Sequence, residues 1–279
     1  MKESLEKGNS FPRARAEAVR RAAGEDIAEI LEQPNNILAV EYIRELMLTK
    51  SNIVPVTIRR KGQGYHSTAL AGDFASASGI RKSLQESSDI NHIREYVPEA
   101  CFLNIKKLNM DINEKFNKLF MLLCAKILSE SEENLEEIFS AGEGLGHKMK
   151  KVIRGAQNLE DLISGIKSKR YTRTRIQRLL THTLTGFRGA DFKSILDHEL
   201  NYARALAFNN KGAALLKKIK ESHPQIPVIT NINKQVSDGD EIAKLLRYDI
   251  LASDIYNLIS GRDIYENSDF VIAPYYKVE

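Results

Sequence analysis

Apolar residues recur with a helical period along most of the 279-residue chain. In residues 2–33 they do so sparsely: Ala18, Val19, Ala22, Ile27, Ile30 and Leu31 form an approximate stripe after a break at Lys7-Gly8-Asn9-Ser10-Phe11-Pro12. A sharper helix follows. Pro34, Asn35 and Asn36 supply a turn and a cap, and Ile37, Val40, Ile43, Leu46 and Met47 supply an apolar face. Residues 52–60, Asn-Ile-Val-Pro-Val-Thr-Ile-Arg-Arg, carry the clearest strand signal, because β-branched side chains dominate them. From Tyr96-Val97-Pro98 onward strand signals nearly vanish. Residues 101–128, 135–139, 147–153, 159–166, the stretch after Thr174, 192–208 and 213–219 read as helices separated by Gly, Asn and Ser. Residues 226–229 and a tail from Val271 read as short strands or extended segments. The pattern predicts a mainly α chain with a small α/β part.

The densest chemical signal lies in residues 167–184. Lys167, Lys169, Arg170, Arg173, Arg175 and Arg178 crowd together there with no acidic residue among them, and Tyr171 reads as an exposed ring between them. Thr174 and Gln177 have the form of a capping box, while Ile176, Leu179, Leu180 and Leu184 make one apolar stripe. Arg175, Arg178 and His182 fall on another face. A helix backed by leucines would present its first turn and the preceding loop as a cationic surface, which suits a polyanion. The alternative is a solvated basic helix that binds nothing.

Composition narrows the classes. With 42% hydrophobic and 28% charged residues, the chain suits a soluble globular protein of two ordinary domains. No run approaches the ~20 apolar residues of a membrane span, and the N-terminal residues lack a signal peptide's apolar core, so the expected location is the cytoplasm. The net charge of +4 is small, but residues 130–137 are acidic where 167–178 are basic, an asymmetry that fits an oriented nucleic-acid surface. Cys101 and Cys124 read as buried core thiols, and the six histidines have no metal-ligand spacing. Gly-x-Ser-x-Gly, a Walker lysine and His-x-Gly-His do not occur in the sequence. Two stretches suit phosphate. Ser76-Ala77-Ser78-Gly79-Ile80-Arg81 combines small residues, hydroxyls able to cap a helix or bond phosphate, and a cation. The amide of Asn35 or Asn36 left over from capping sits at a positive helix end.

These motifs, with Gly64-Tyr65-His66, Glu143-Gly144-Leu145, Tyr202, Phe208-Asn209, Lys211-Gly212, Ala252-Ser253 and Ile255-Tyr256, run collinearly over nearly the whole chain. Together they resemble the bacterial tRNA(Met) cytidine acetate ligases of the nucleotidyltransferase superfamily. Lys167-Ser168-Lys169-Arg170-Tyr171-Thr172-Arg173-Thr174-Arg175-Ile176-Gln177-Arg178 is the most specific of them. The resemblance implies a partial Rossmann-like nucleotidyltransferase domain followed by a helical C-terminal domain. Residues 1–99 would be the C-terminal part of the ATP-binding domain and 100–279 the tRNA-binding domain. It implies ATP as substrate, with or without Mg2+, ligation of acetate to N4 of the wobble cytidine of elongator tRNA(Met) through acetyl-adenylate, and tRNA, ATP and acetate as partners. ATP contacts would come from Asn35, Arg60, Ser76, Ser78 and Arg81, and tRNA contacts from Lys167, Lys169, Arg170, Tyr171, Arg173, Arg175 and Arg178.

Two positions depart from the family: Ser67 stands where it has Asp, and Gly79 where it has Thr or Ser. The family's first strand and His-x-Gly-His loop are also missing, so the expectation is an incomplete form that does not turn over ATP alone. The other readings are a tRNA-binding module without catalysis and a nucleotidyltransferase acting on a small metabolite.

Overall fold

The computed structural model describes residues 1–9, 11–32, 34–58, 70, 75–87, 89–107, 112–197, 202–236 and 241–278. They divide into two compact units, Met1–Ile112 and Asn113–Glu279.

In the first unit, α1 (Lys2–Glu6), α2 (Phe11–Ala23), α3 (Glu25–Glu32) and α4 (Pro34–Leu48) pack successively, each against the next. Gly8 at φ +78° follows α1 and Gly24 at φ +88° separates α2 from α3, left-handed positions that glycine takes without a Cβ penalty. The Ser4 hydroxyl donates to Glu17 Oε2 at 2.6 Å and so joins α1 to α2. Helix α4 begins at Pro34, which puts Asn35 and Asn36 inside its first turn and not ahead of it as a turn and cap. Asn36 Nδ2 instead donates to the Ile30 carbonyl at 2.9 Å, satisfying a backbone acceptor near the end of α3. The apolar face expected for α4 is largely uncovered, since Val40, Ile43 and Met47 are all exposed.

The expected strand at 52–60 is absent where the chain is described. Residues 51–58 have no regular structure, and Ile58 is 93% exposed. Strand composition is not enough by itself: a strand needs a neighbour for its N–H and C=O groups, and among the described residues none pairs with this segment. Beyond it, α5 (Ala77–Glu86) packs against a 3-10 helix (Asn91–Tyr96), which in turn packs against α6 (Glu99–Lys107) around buried Ile93.

The second unit begins with α7 (Ile112–Ser129), then α8 (Glu132–Glu136), α9 (Leu145–Ile153), α10 (Leu159–Ile166) and α11 (Arg173–Thr185). Its main core joins Leu123 and Ile127 of α7, Leu135 of α8, Met149 and Ile153 of α9, Leu162 and Ile166 of α10, and Ile176 and Leu179 of α11. The helix expected over 135–139 lies earlier. Ile138 leaves it to bridge Arg188, and the Phe139 N–H donates to the Phe187 carbonyl at 2.9 Å.

The helix expected over 192–208 is shorter: α12 (Gly189–Leu196) ends and the chain enters β1 (Ala203–Arg204) and β2 (Ala207–Asn209). These pair in parallel with segments far along the chain. After α13 (Asn210–Ser222) comes β3 (Val228–Ile229), with Ala203 opposite Val228. After α14 (Ile232–Val236) and α15 (Glu241–Ser260) comes β4 (Tyr275–Lys277), with Phe208 opposite Tyr276. A smaller core of Ile229, Ile232, Leu246 and Ile250 fills this part, and Arg204 makes a half-buried fork on Asp269 at 2.6 and 3.2 Å. Cys101 is exposed, contrary to the expected buried thiol, whereas Cys124 is partly buried and its thiol pKa is raised by that burial. Among the described residues no helix is long and apolar enough to cross a membrane.

Candidate nucleic-acid interface

The basic stretch is the connection between two core helices. Helix α10 is capped by Asn158, whose side chain accepts from the Asp161 N–H at 2.9 Å, and it buries Leu162, Ile163 and Ile166. Helix α11 buries Ile176, Leu179, Leu180 and Thr183, three of the four apolar positions expected of it, and ends at Gly186 with φ +69°. The expected capping box at Thr174 does not form. The helix starts at Arg173 with Thr172 as N-cap, two residues before the expected cap, and the Thr172 side chain makes no capping hydrogen bond.

Residues 167–172 are held on both sides. Lys148 of α9 donates its ammonium to the Ile166 carbonyl at 2.7 Å, a cation on the orphan acceptors at the end of α10. The loop then closes on itself: the Ser168 N–H donates to the Tyr171 carbonyl at 3.2 Å and the Tyr171 N–H to the Ser168 hydroxyl at 3.3 Å.

Tyr171 is 8% exposed, correcting the expectation of an exposed ring. It belongs to the main core, and its hydroxyl donates to Glu143 Oε2. Burial first, and the Glu143 carboxylate second, push its pKa above the ordinary phenol value. Over the ring lie two guanidinium groups, Arg175 at 4.7 Å and Arg170 at 5.9 Å from its centroid. Tyr171 is therefore a platform beneath cations, and the residue before Gly144 anchors it. Glu143 and Gly144 both take left-handed conformations, φ +70° and +80°, which is uncommon for a glutamate.

The sequence stretch contains no acids, but the fold brings two to it. Glu143 Oε1 accepts from Arg170 Nη2 at 2.6 Å. Glu160, on the first turn of α10, takes Arg173 as a fork, Nη1 to Oε1 at 2.5 Å and Nη2 to Oε2 at 2.6 Å. The Glu160 carboxyl is held below its usual range, chiefly by Arg173, with Ser164 and Lys167 adding to the effect and burial opposing it. Among the described residues no carboxylate pairs with Lys167, Lys169, Arg175 or Arg178, and all four reach the surface, Arg175 in part. His182 leaves the basic face. Its ring packs on Phe139 and Phe187, and its Nδ1 lies 3.1 Å from the Phe139 carbonyl, which can only accept, so Nδ1 carries the proton.

The residues expected around ATP fall in the first unit. Ser76 is buried and caps α5, accepting from the Gly79 N–H at 2.9 Å. Ser78 is half-buried and Arg81 exposed within the first turns of that helix. Asn35 is exposed in the first turn of α4, and Arg60 lies outside the described residues. Glu160, Glu143 and Lys148 were not expected as partners of the basic stretch. Glu143 had a motif to mark it, whereas Glu160 is 13 residues from Arg173 in sequence, beyond any helix-face spacing rule.

A family model described as HIGH Nucleotidyl Transferase matches residues 1–269. A tRNA(Met) cytidine acetate ligase of Caldanaerobacter subterraneus is 37% identical over 92% of this chain, which covers 63% of that relative. One of Clostridium kluyveri is 33% identical over 98% of the chain, covering 67% of its own length. Crystal structures of Thermotoga maritima TmcAL, one apo and one bound with alpha-thio ATP, superpose with TM-scores of 0.85 and 0.83 at 26% identity, over 99% of this chain and 69% of theirs. The chain thus spans about two thirds of the length of the relatives it matches, 63–67% for these two ligases. It belongs to the HIGH nucleotidyl transferase family and, within that family, to the tRNA(Met) cytidine acetate ligases.

Proposed function

We propose that this chain serves ATP-dependent acetylation of tRNA, ligating acetate to N4 of the wobble cytidine of elongator tRNA(Met), and that the α10–α11 connection grips the tRNA. The observation that carries the tRNA part is the set of four cations, Lys167, Lys169, Arg175 and Arg178, displayed at one helix start with no carboxylate paired to them among the described residues. Unpaired cations at the surface gain most from phosphate, because they release counterions without first breaking an ion pair. Arg170 and Arg173 add to the surface, and Tyr171 contributes from beneath it.

In this reading residues 1–99 are the later part of a Rossmann-like ATP-binding domain and 100–279 the tRNA-binding domain. Asn35, Arg60, Ser76, Ser78 and Arg81 meet the nucleotide, with or without Mg2+ on its phosphates. Acetate attacks the α-phosphorus and pyrophosphate leaves; the cytosine N4 amine then attacks the acetyl carbon and AMP leaves. The relatives' names support the ligation, and the nucleotide bound by the Thermotoga maritima protein supports ATP.

The test is elongator tRNA(Met) binding against salt for the wild type and for Lys169→Ala, Arg175→Ala and Arg178→Ala combined. Each phosphate contact contributes about one unit to the slope of log K against log salt, so the triple variant is expected to flatten the plot by up to about three. An unchanged slope refutes the interface. Pyrophosphate release with acetate, ATP and tRNA separates ligation by this chain from RNA binding alone.

A further inference from the structure

Glu160 occupies a place built for an anion. The Arg173 guanidinium closes on it as a fork, the Ser164 hydroxyl donates to Oε1 at 3.2 Å, and the charge of Lys167 reaches it. A phosphate presents the same pair of oxygens to a guanidinium as a carboxylate does. Yet the pair is lightly held. The Arg173 side chain is 46% and that of Glu160 60% exposed, a setting in which ion pairs contribute little and open readily. Glu143 makes the opposite arrangement. One of its oxygens holds Arg170 while the other holds the buried Tyr171 hydroxyl, so it cannot leave without disturbing the core.

We propose that the position on the Arg173 fork beside Ser164 is a phosphate subsite of the RNA surface, filled in the free protein by the Glu160 carboxylate, which an RNA phosphate displaces. The inference rests on the RNA-binding reading above and adds a residue that opposes binding while holding Arg173 in fork geometry.

The experiment measures affinity for an elongator tRNA(Met) transcript across about 50 to 200 mM salt. Wild type, Glu160→Gln, Arg173→Ala and the double variant are compared, with thermal melts to verify folding. Glu160→Gln keeps a partner for Ser164 but removes the competing charge. Binding is expected to tighten roughly two- to fivefold, with the salt slope steeper by about one, and the gain should vanish in the Arg173→Ala background. Glu160→Ala is expected to act in the same direction and serves if the glutamine variant is poorly folded. Unchanged or weaker binding by a folded Glu160 variant, or a gain that persists without Arg173, overturns the subsite alone. A wild type whose tRNA binding does not depend on salt or on Lys169, Arg175 and Arg178 overturns the RNA reading itself.

Discussion

Replacing Tyr171 distinguishes a buried platform from an exposed stacking ring. Tyr171→Phe removes only the hydroxyl that donates to Glu143. A hydrogen bond to a charged group is worth about 1.5–3 kcal/mol. The Glu143 side chain is 49% exposed, so solvent screening reduces the expected loss to about 1 kcal/mol. Tyr171→Ala also removes a ring packed in the main core, and large-to-small changes of aromatic residues there cost about 3–5 kcal/mol. Urea unfolding, followed through the transition of the second unit, gives both numbers. The same variants differ in RNA binding: phenylalanine keeps a ring beneath Arg175 and should hold tRNA affinity within about twofold, whereas alanine leaves Arg170 and Arg175 without support. An alanine variant as stable as the wild type but weaker in tRNA binding would refute the buried platform, since that is the result for a tyrosine that stacks on bases from the surface.

Two other changes test the frame that carries the site. A Cβ at Gly165 would lie 2.5 Å from Val152 Cγ1, so Gly165→Ala should force α9 and α10 apart and cost about 1–3 kcal/mol in urea unfolding, despite alanine's better helix propensity. Tyr248 donates to Asp191 at 2.7 Å, and burial first and that carboxylate second push its pKa up to about 12 from 10. A folded pKa above the unfolded one gives stability that is complete below pH 10 and is lost as the pH rises from 10 through about 12. The melting temperature should therefore fall over that window, and less steeply in Tyr248→Phe.

Much of the helical framework was legible in the sequence because it depends on local period. Residues 159–166 have the same bounds as helix and as pattern, and the Ile176, Leu179, Leu180 stripe is the buried face of α11. The family was legible too, through motifs that survive as short collinear strings. The expected helix over 192–208 failed because its final residues serve strands paired with segments beyond residue 227, and no local spacing reports a partner that distant. Over its described residues, 52–58, the strand expected at 52–60 failed for the complementary reason: its composition suits a sheet, but a strand exists only where another accepts its hydrogen bonds.

The basic stretch divides the same way. Its charge, its leucine backing and its lack of internal acids belong to the sequence, because they follow from residue identity and a 3.6-residue period. Which cations stay unpaired was decided in three dimensions. Folding brings Glu143 and Glu160 onto Arg170 and Arg173, turns Tyr171 inward beneath Arg175, and leaves Lys167, Lys169, Arg175 and Arg178 outside any ion pair among the described residues. Charge is a property of a side chain, but neutralisation belongs to a pair, and only the packing of α10 against α11 and of the Glu143 turn against Tyr171 determines which pairs meet.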